Sequence, residues 1–219
     1  NIYEDIAKRT QGDIYIGVVG PVRTGKSTFI EILSKKLIAE GKTPFIFRLM
    51  GPNIFKCLDF NNNDLSLIQL AKFDEAYNMI NTMLKQNMNT IVILDRCHFG
   101  ELTWAYYWNR QGKFTEFLES NDFYIKHKEL FDKSVYINYF ISKLNILENR
   151  IKDSEEDTNI FTINNMSIKD NIQGVYALYE DVNYTVKHKF NMSFAEYDNI
   201  NDLSEVEKFA NHIIDMYIK

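Results

Sequence analysis

Apolar positions in this chain fall in two rhythms, short continuous runs and longer stretches spaced by three and four. The first run, Ile14-Tyr15-Ile16-Gly17-Val18-Val19, reads as a buried strand over about 13–19. Ile30, Leu33 and Leu37 then mark a helix over about 26–40, closed by Gly41. Thr43 to Leu49 is a second strand, with Pro44 at its start, where proline is tolerated. The loop Asn61-Asn62-Asn63-Asp64 leads into a long amphipathic helix bearing Leu70, Phe73, Tyr77, Ile80 and Leu84 on one face. Thr90-Ile91-Val92-Ile93-Leu94 has the continuous apolar character of a central parallel strand.

The second half repeats the alternation. An aromatic-rich segment, 99–118, is predicted to be helical and to cover part of a pocket. Residues 135–141 form a fourth strand and 144–151 a short helix. The polar, acidic stretch 152–167 reads as a lid-like mobile loop, and a helix follows over 168–189. Residues 193–198 form a fifth strand at a sheet edge. Ser204-x-x-Glu207 is a capping box opening a last helix, with Val206, Phe209, Ile213 and Tyr217 inward. Strands alternating with helices predict an α/β fold, a five-stranded parallel sheet flanked by helices. The 219 residues suit one domain, with 1–12 as an N-terminal extension.

Composition narrows the partners. A net charge of −5 argues against nucleic-acid binding across the whole surface. Cys57 and Cys97 lack metal-type spacing, and a reducing, cytoplasmic setting fits best. No apolar stretch approaches the roughly 18 residues of a membrane span, so no membrane partner is expected. The first residue is Asn1 rather than Met, which fits a trimmed chain. Only six of the 25 basic residues are arginine: Arg9, Arg23, Arg48, Arg96, Arg110 and Arg150. Arginines kept in so lysine-rich a chain are candidates for bidentate phosphate contact, which lysine does poorly.

The chemistry starts between the first strand and the first helix. Gly20-Pro21-Val22-Arg23-Thr24-Gly25-Lys26-Ser27 fits G-x-x-x-x-G-K-[ST], the phosphate-binding P-loop, in the strand–loop–helix context the motif needs. The loop from Gly20 to Thr28, through its backbone N–H groups other than at Pro21, and the helix N-terminus would cradle the phosphates of ATP. Lys26 would reach the β- and γ-phosphates, and the Ser27 hydroxyl would hold Mg²⁺.

In an open parallel sheet, ligands collect at the carboxyl ends of the strands. Arg48 ends the second strand, Asp95-Arg96 ends the third, and Arg150 lies beyond the fourth and its helix. Asp95 could bind the metal through water or take a proton from an acceptor. Arg48 and Arg96 could clamp an acceptor's phosphate, and Arg150 could close over the transferring group. Phosphoryl transfer needs positioning and charge neutralisation above all, and these groups suit it.

Asp95-Arg96-Cys97-His98-Phe99-Gly100-Glu101, with Trp104 and Tyr106-Tyr107, resembles the DR-x-H-x-x-E and aromatic segment of thymidylate-kinase-like and deoxynucleoside-kinase-like P-loop proteins. The resemblance covers residues 13–219 in element order. It implies a five-stranded parallel sheet, use of ATP and Mg²⁺, and transfer of the γ-phosphate to a small nucleoside or nucleoside monophosphate. By this likeness Asp95 and Arg96 take acceptor-side roles, Glu101 meets the sugar, and Phe99, Trp104 or Tyr107 stacks on the base. It also allows a homodimer through the long helices. Two features depart from the pattern. Asp153-Ser154-Glu155-Glu156-Asp157 is acidic where a lid carries arginines, so Arg23 in the P-loop would supply the missing charge. Arg48-Leu49-Met50-Gly51-Pro52 matches the family's Arg-Glu-Pro pattern only loosely.

Residues 1–30 are similar instead to the N-terminus of the stage IV sporulation protein A family, a self-assembling spore-coat ATPase. No second motif of that family follows, and neither D-x-x-G nor [NT]-K-x-D is present, which disfavours a nucleotide switch. Two origins remain open: a fusion with a seam near Ile30–Glu31, or a natural kinase relative with an unusual front end. The rival function is an ATPase that hydrolyses ATP to drive assembly and uses no small-molecule acceptor.

Overall fold

β1 (Ile14–Val19) is the central strand, because it is apolar towards both faces. Tyr15, Ile16, Val18 and Val19 are all buried. β3 (Thr90–Asp95) lies parallel on one side of it and β4 (Ser134–Phe140) on the other. β2 (Thr43–Arg48) and β5 (Ser193–Asp198) close the two edges, giving the order β2-β3-β1-β4-β5 with every pairing parallel. The computed structural model describes residues 14–21, 23–48, 71, 74–82, 90–95, 116, 125, 126, 128, 134–153, 172–189, 192–200 and 202–218.

Four helices accompany the strands: α1 (Lys26–Ala39), α2 (Leu144–Lys152), α3 (Ile172–Lys189) and α4 (Leu203–Tyr217). Residues 74–82 are also helical. The core divides by strand parity, since successive side chains point to opposite faces. Ile16, Val18, Ile91, Ile93, Val135, Ile137 and Tyr139 meet α1 and α4 on one face. There Phe29 stacks on Tyr139 at 5.1 Å and packs against Phe209 at 5.3 Å. Its truncation to alanine would cost about 3–5 kcal/mol. On the other face the hydroxyls of Tyr15 and Tyr77 are hydrogen-bonded, and Tyr136 donates to Asn183 Oδ1 of α3 at 2.7 Å.

The α/β expectation holds, and each of the five strands lies within one residue of its predicted bounds where described. Two details differ. Lys152 belongs to α2 rather than to a loop, and Asp153 caps that helix. α3 is described from Ile172, and 154–171 lie outside the described residues. The last helix is not opened by a Ser204 capping box. Asp202 is its N-cap and accepts from the N–H groups of Ser204 and Glu205 at 3.1 and 3.3 Å. Ser204 Oγ also donates to Asp202, at 2.6 Å. The carboxylate prevails because it accepts several bonds at once and its charge suits a helix N-terminus. α1 runs through Ile30 and Glu31, with Lys35 paired to Glu31 one turn on.

Candidate active site

β1 delivers the chain to the crevice at the middle of the sheet, from which crossovers leave towards both edges. Two glycines make the turn possible. A Cβ on Gly20 would lie 1.8 Å from the carbonyl oxygen of Tyr139, so β1 and β4 approach closely there only without a side chain. Gly25 has φ 94° in the left-handed region, and a Cβ on it would meet Asn199 Nδ2 at 2.6 Å. Arg23 holds a left-handed φ of 62°, uncommon without glycine and found where a loop is constrained.

The loop ends at α1 in a way suited to anions. Gly25 is the N-cap and supplies no side-chain cap, and the first turn carries no acidic residue. The first N–H groups of α1 thus face no capping side chain or first-turn carboxylate of their own, and the positive end of the helix dipole lies with them. The Lys26 ammonium folds back, donating to the carbonyls of Gly20 at 2.8 Å and Pro21 at 2.7 Å. Thr24 Oγ1 donates to the same Pro21 carbonyl at 3.0 Å.

Asp95 stands across from the loop. Ser27 Oγ donates to its Oδ2 in a long 3.5 Å contact, and Arg48 Nε lies 3.7 Å from the same oxygen. The register explains the meeting, because Asp95 pairs with Arg48 across β2–β3 and with Val18 across β1–β3. One carboxylate therefore touches the hydroxyl predicted to hold metal and the arginine predicted to hold an acceptor. A hydroxyl and a carboxylate are hard oxygen donors, and Mg²⁺ is commonly held by one or two protein oxygens, substrate phosphates and water. The pair fits that ion. Among the described residues there is no cluster of three or more His, Cys, Asp or Glu that could hold a metal.

Arg150 sits in α2, half-buried, and donates from NH2 to the backbone carbonyl of Asn199 at 3.3 Å. Asn199 is the residue that motif reasoning passes over. It is buried, its N–H donates to Phe140 O at 2.8 Å, and its Nδ2 donates to Thr24 O inside the P-loop at 2.7 Å. It lies directly after β5, and the rule that ligand loops follow strands was the available signal. Tyr139, on the strand that crowds Gly20, has a buried hydroxyl with no partner among the described residues. Burial, with Tyr197 adding, pushes its pKa well above the ordinary 10.0.

Of the predicted site residues, the fold brings Gly20, Pro21, Arg23, Thr24, Gly25, Lys26, Ser27, Thr28, Arg48 and Asp95 to one crevice. Thr28 is exposed in the first turn of α1. Val22, Arg96, Phe99, Glu101, Trp104 and Tyr107 lie outside the described residues.

Comparison with solved structures now places this architecture. A thymidylate kinase from Candida albicans superposes with a TM-score of 0.60 over 93% of this chain and 91% of that one, at 15% identity. The YorR protein from Bacillus subtilis, solved with phosphorylated GDP, superposes with a TM-score of 0.57 over 92% of this chain and 94% of that one, at 16% identity. The fold is that of the P-loop kinases. The N-terminal segment points elsewhere. Residues 1–47 match the family described as stage IV sporulation protein A, ATPase domain. Stage IV sporulation protein A of Clostridioides difficile (strain 630) is 82% identical over 38 residues, 17% of this chain and 8% of that protein. The Bacillus subtilis (strain 168) protein is 74% identical over 31 residues, 14% of this chain and 6% of that one. The chain thus spans under a tenth of the length of the curated relatives it matches. The family match passes Ile30 and runs on through α1 and most of β2. No described helix is long and apolar enough to cross a membrane.

Proposed function

We propose that this chain transfers the γ-phosphoryl group of ATP to a nucleoside or nucleoside monophosphate, in the manner of a thymidylate kinase. The observation that supports this best is Asp95, within reach of both Ser27 on the donor side and Arg48 on the acceptor side.

ATP would lie with its phosphates along the P-loop, residues 20–28, whose N–H groups other than at Pro21 would donate to them. Lys26 would exchange its loop carbonyls for the β- and γ-phosphate oxygens. Ser27 directly and Asp95 through water would hold Mg²⁺, which when bound neutralises phosphate charge. The bond between γ-phosphorus and the β–γ bridging oxygen breaks as the bond to the acceptor oxygen forms, and ADP leaves. With a nucleoside acceptor, Asp95 takes the hydroxyl proton. With a monophosphate acceptor the attacking oxygen is already ionised, so Asp95 orients and Arg48 neutralises. Arg23 and Arg150 would complete the charge around the transferring group, with Arg96 beside the acceptor and Phe99, Glu101, Trp104 and Tyr107 around its base and sugar.

The direct test is ADP production from Mg-ATP across a panel of nucleosides and nucleoside monophosphates, with Lys26→Ala as the blank. Stimulation by one or two acceptors, with a phosphorylated product, is the expected result. The second reading, an ATPase that drives self-assembly, is favoured by the match over residues 1–47. It predicts a flat ADP rate across the panel and ATP-dependent, concentration-dependent polymers by light scattering.

A further inference from the structure

The turn after β5 is held from three sides. From β4, the Phe140 carbonyl accepts the Asn199 N–H at 2.8 Å, and just beyond it the Ser142 N–H donates to Asp198 Oδ1 at 2.9 Å. From below, Ile200 packs against an apolar cluster of Ile141, Leu147, Ile151 and Ile172, which joins the body of α2 to the first residue of α3. The third hold is Arg150, in the last turn of α2, whose Nη2 donates to the Asn199 carbonyl at 3.3 Å.

What this turn grips in its own right is the donor loop. Asn199 Nδ2 donates to the Thr24 carbonyl at 2.7 Å and lies 2.6 Å from where a Cβ on Gly25 would fall. The amide therefore sits against the two residues directly before Lys26, at the N-terminus of α1. Thr24 Oγ1 in turn shares the Pro21 carbonyl with the Lys26 ammonium. A run of contacts thus leads from the Arg150 guanidinium to the phosphate loop. Its links from Asn199 onward are buried, where a lost bond leaves a backbone carbonyl without its donor.

We propose that Arg150 is a positioning residue for the donor nucleotide. By bonding Asn199 it keeps the Asn199 amide on Thr24, and so keeps the loop aimed at the phosphates that ATP and ADP share. This role is separate from the charge that Arg150 would bring to the transferring group. It rests on the nucleotide-binding part of the reading above and not on phosphoryl transfer. Linkage makes it reciprocal: bound nucleotide tightens the hold of α2 on the turn by the same factor.

Calorimetric titration of Mg-ADP into the full chain, with no acceptor present, tests this. ADP has no γ-phosphate, so charge lent to the transferring group drops out of the measurement. Arg150→Met keeps an apolar stem and removes the donor, and Arg150→Ala carries the same test if the first variant does not fold. ADP affinity is expected to fall about fivefold in either. Asn199→Ala keeps the backbone carbonyl for Arg150 but loses the grip on Thr24, so adding Arg150→Met to it should change affinity by less than about twofold. Lys152→Ala, exposed in the same helical turn, should leave affinity unchanged. The proposal falls if ADP affinity survives in the Arg150 variants, whatever happens to their melting temperatures or to ATP. It falls if the losses multiply in the double variant, since Arg150 then acts without Asn199, or if Lys152→Ala weakens ADP as much. ADP that fails to bind the unaltered chain at millimolar concentration overturns it as well. Stimulation by acceptors is read separately in the panel above, so failure of the transfer reading leaves this result standing.

Discussion

The two sides of the crevice are built differently. On the P-loop side, Thr24, Lys26 and Asn199 are 0, 8 and 8% exposed, and hydrogen bonds tie all three into the loop. On the β2 side, the Arg48 side chain is 61% exposed on an edge strand whose Phe45 and Ile46 also face solvent. A phosphate chain binds through backbone N–H groups, which must be aimed before the ligand arrives. The donor half is therefore preorganised by burial and hydrogen bonds. An acceptor side that closes around its ligand can leave its cation in water until then. Asp95, its side chain 14% exposed, is the hinge between the two regimes.

The sharpest way to break that contrast is Lys26→Ala. Loss of the buried Lys26 ammonium should cut ADP release by about a thousandfold or more, read in the coupled acceptor panel. Asp95→Asn comes next. Turnover with a nucleoside acceptor should fall by about a hundredfold or more while nucleotide affinity changes little, because general-base loss affects the step rather than binding. Near-normal turnover would remove Asp95 from the mechanism. A smaller fall with monophosphate acceptors would separate its base role from its positioning role.

Asn199→Ala probes the rigidity of the donor side. It leaves the Thr24 carbonyl without its buried donor, at about 1–3 kcal/mol. The melting temperature should drop, and ATP affinity should weaken by about tenfold as the loop loosens. Arg48→Ala is the opposite case. The melting temperature should not move, because exposed ion pairs contribute little, while the acceptor KM rises about tenfold. An equal loss of stability in both variants would erase the distinction between the sides.

The smallest effect lies far from the crevice. The bonds from Ser204 and Glu205 hold the Asp202 carboxyl below its ordinary 3.8. A group lowered on folding adds stability above its unfolded pKa and loses it as pH falls through the folded value. Asp202→Asn should therefore flatten the decline of the melting temperature below about pH 4 and barely change it at neutral pH.

The N-terminal match and the whole-chain fold divide the molecule in another way. Residues 1–47 carry β1, the P-loop, α1 and most of β2, the parts that any P-loop ATP site needs. Arg48, Asp95 and Arg150, to which the proposed reading gives acceptor and transfer roles, all lie beyond that segment. The panel and the light-scattering assay thus ask which part of the chain governs the chemistry.

Strands, helices and the P-loop were legible in the sequence because they depend on local periodicity and on short motifs with their own geometry. Gly20 to Ser27 matches a phosphate-binding motif by spacing alone, and the apolar runs at 14–19 and 90–94 read as central strands. Asp202 displaced Ser204 at the last helix because cap choice turns on which side chain reaches the N–H groups, a matter of ångströms. The rest needed the folded chain. Asp95 meets Ser27 across 68 residues and Asn199 meets Thr24 across 175, contacts that exist only because β3 lies beside β1 and the turn after β5 folds back over the loop. Local pattern set the elements and the donor site. Long-range pairing of strands decided which side chains face one another across it.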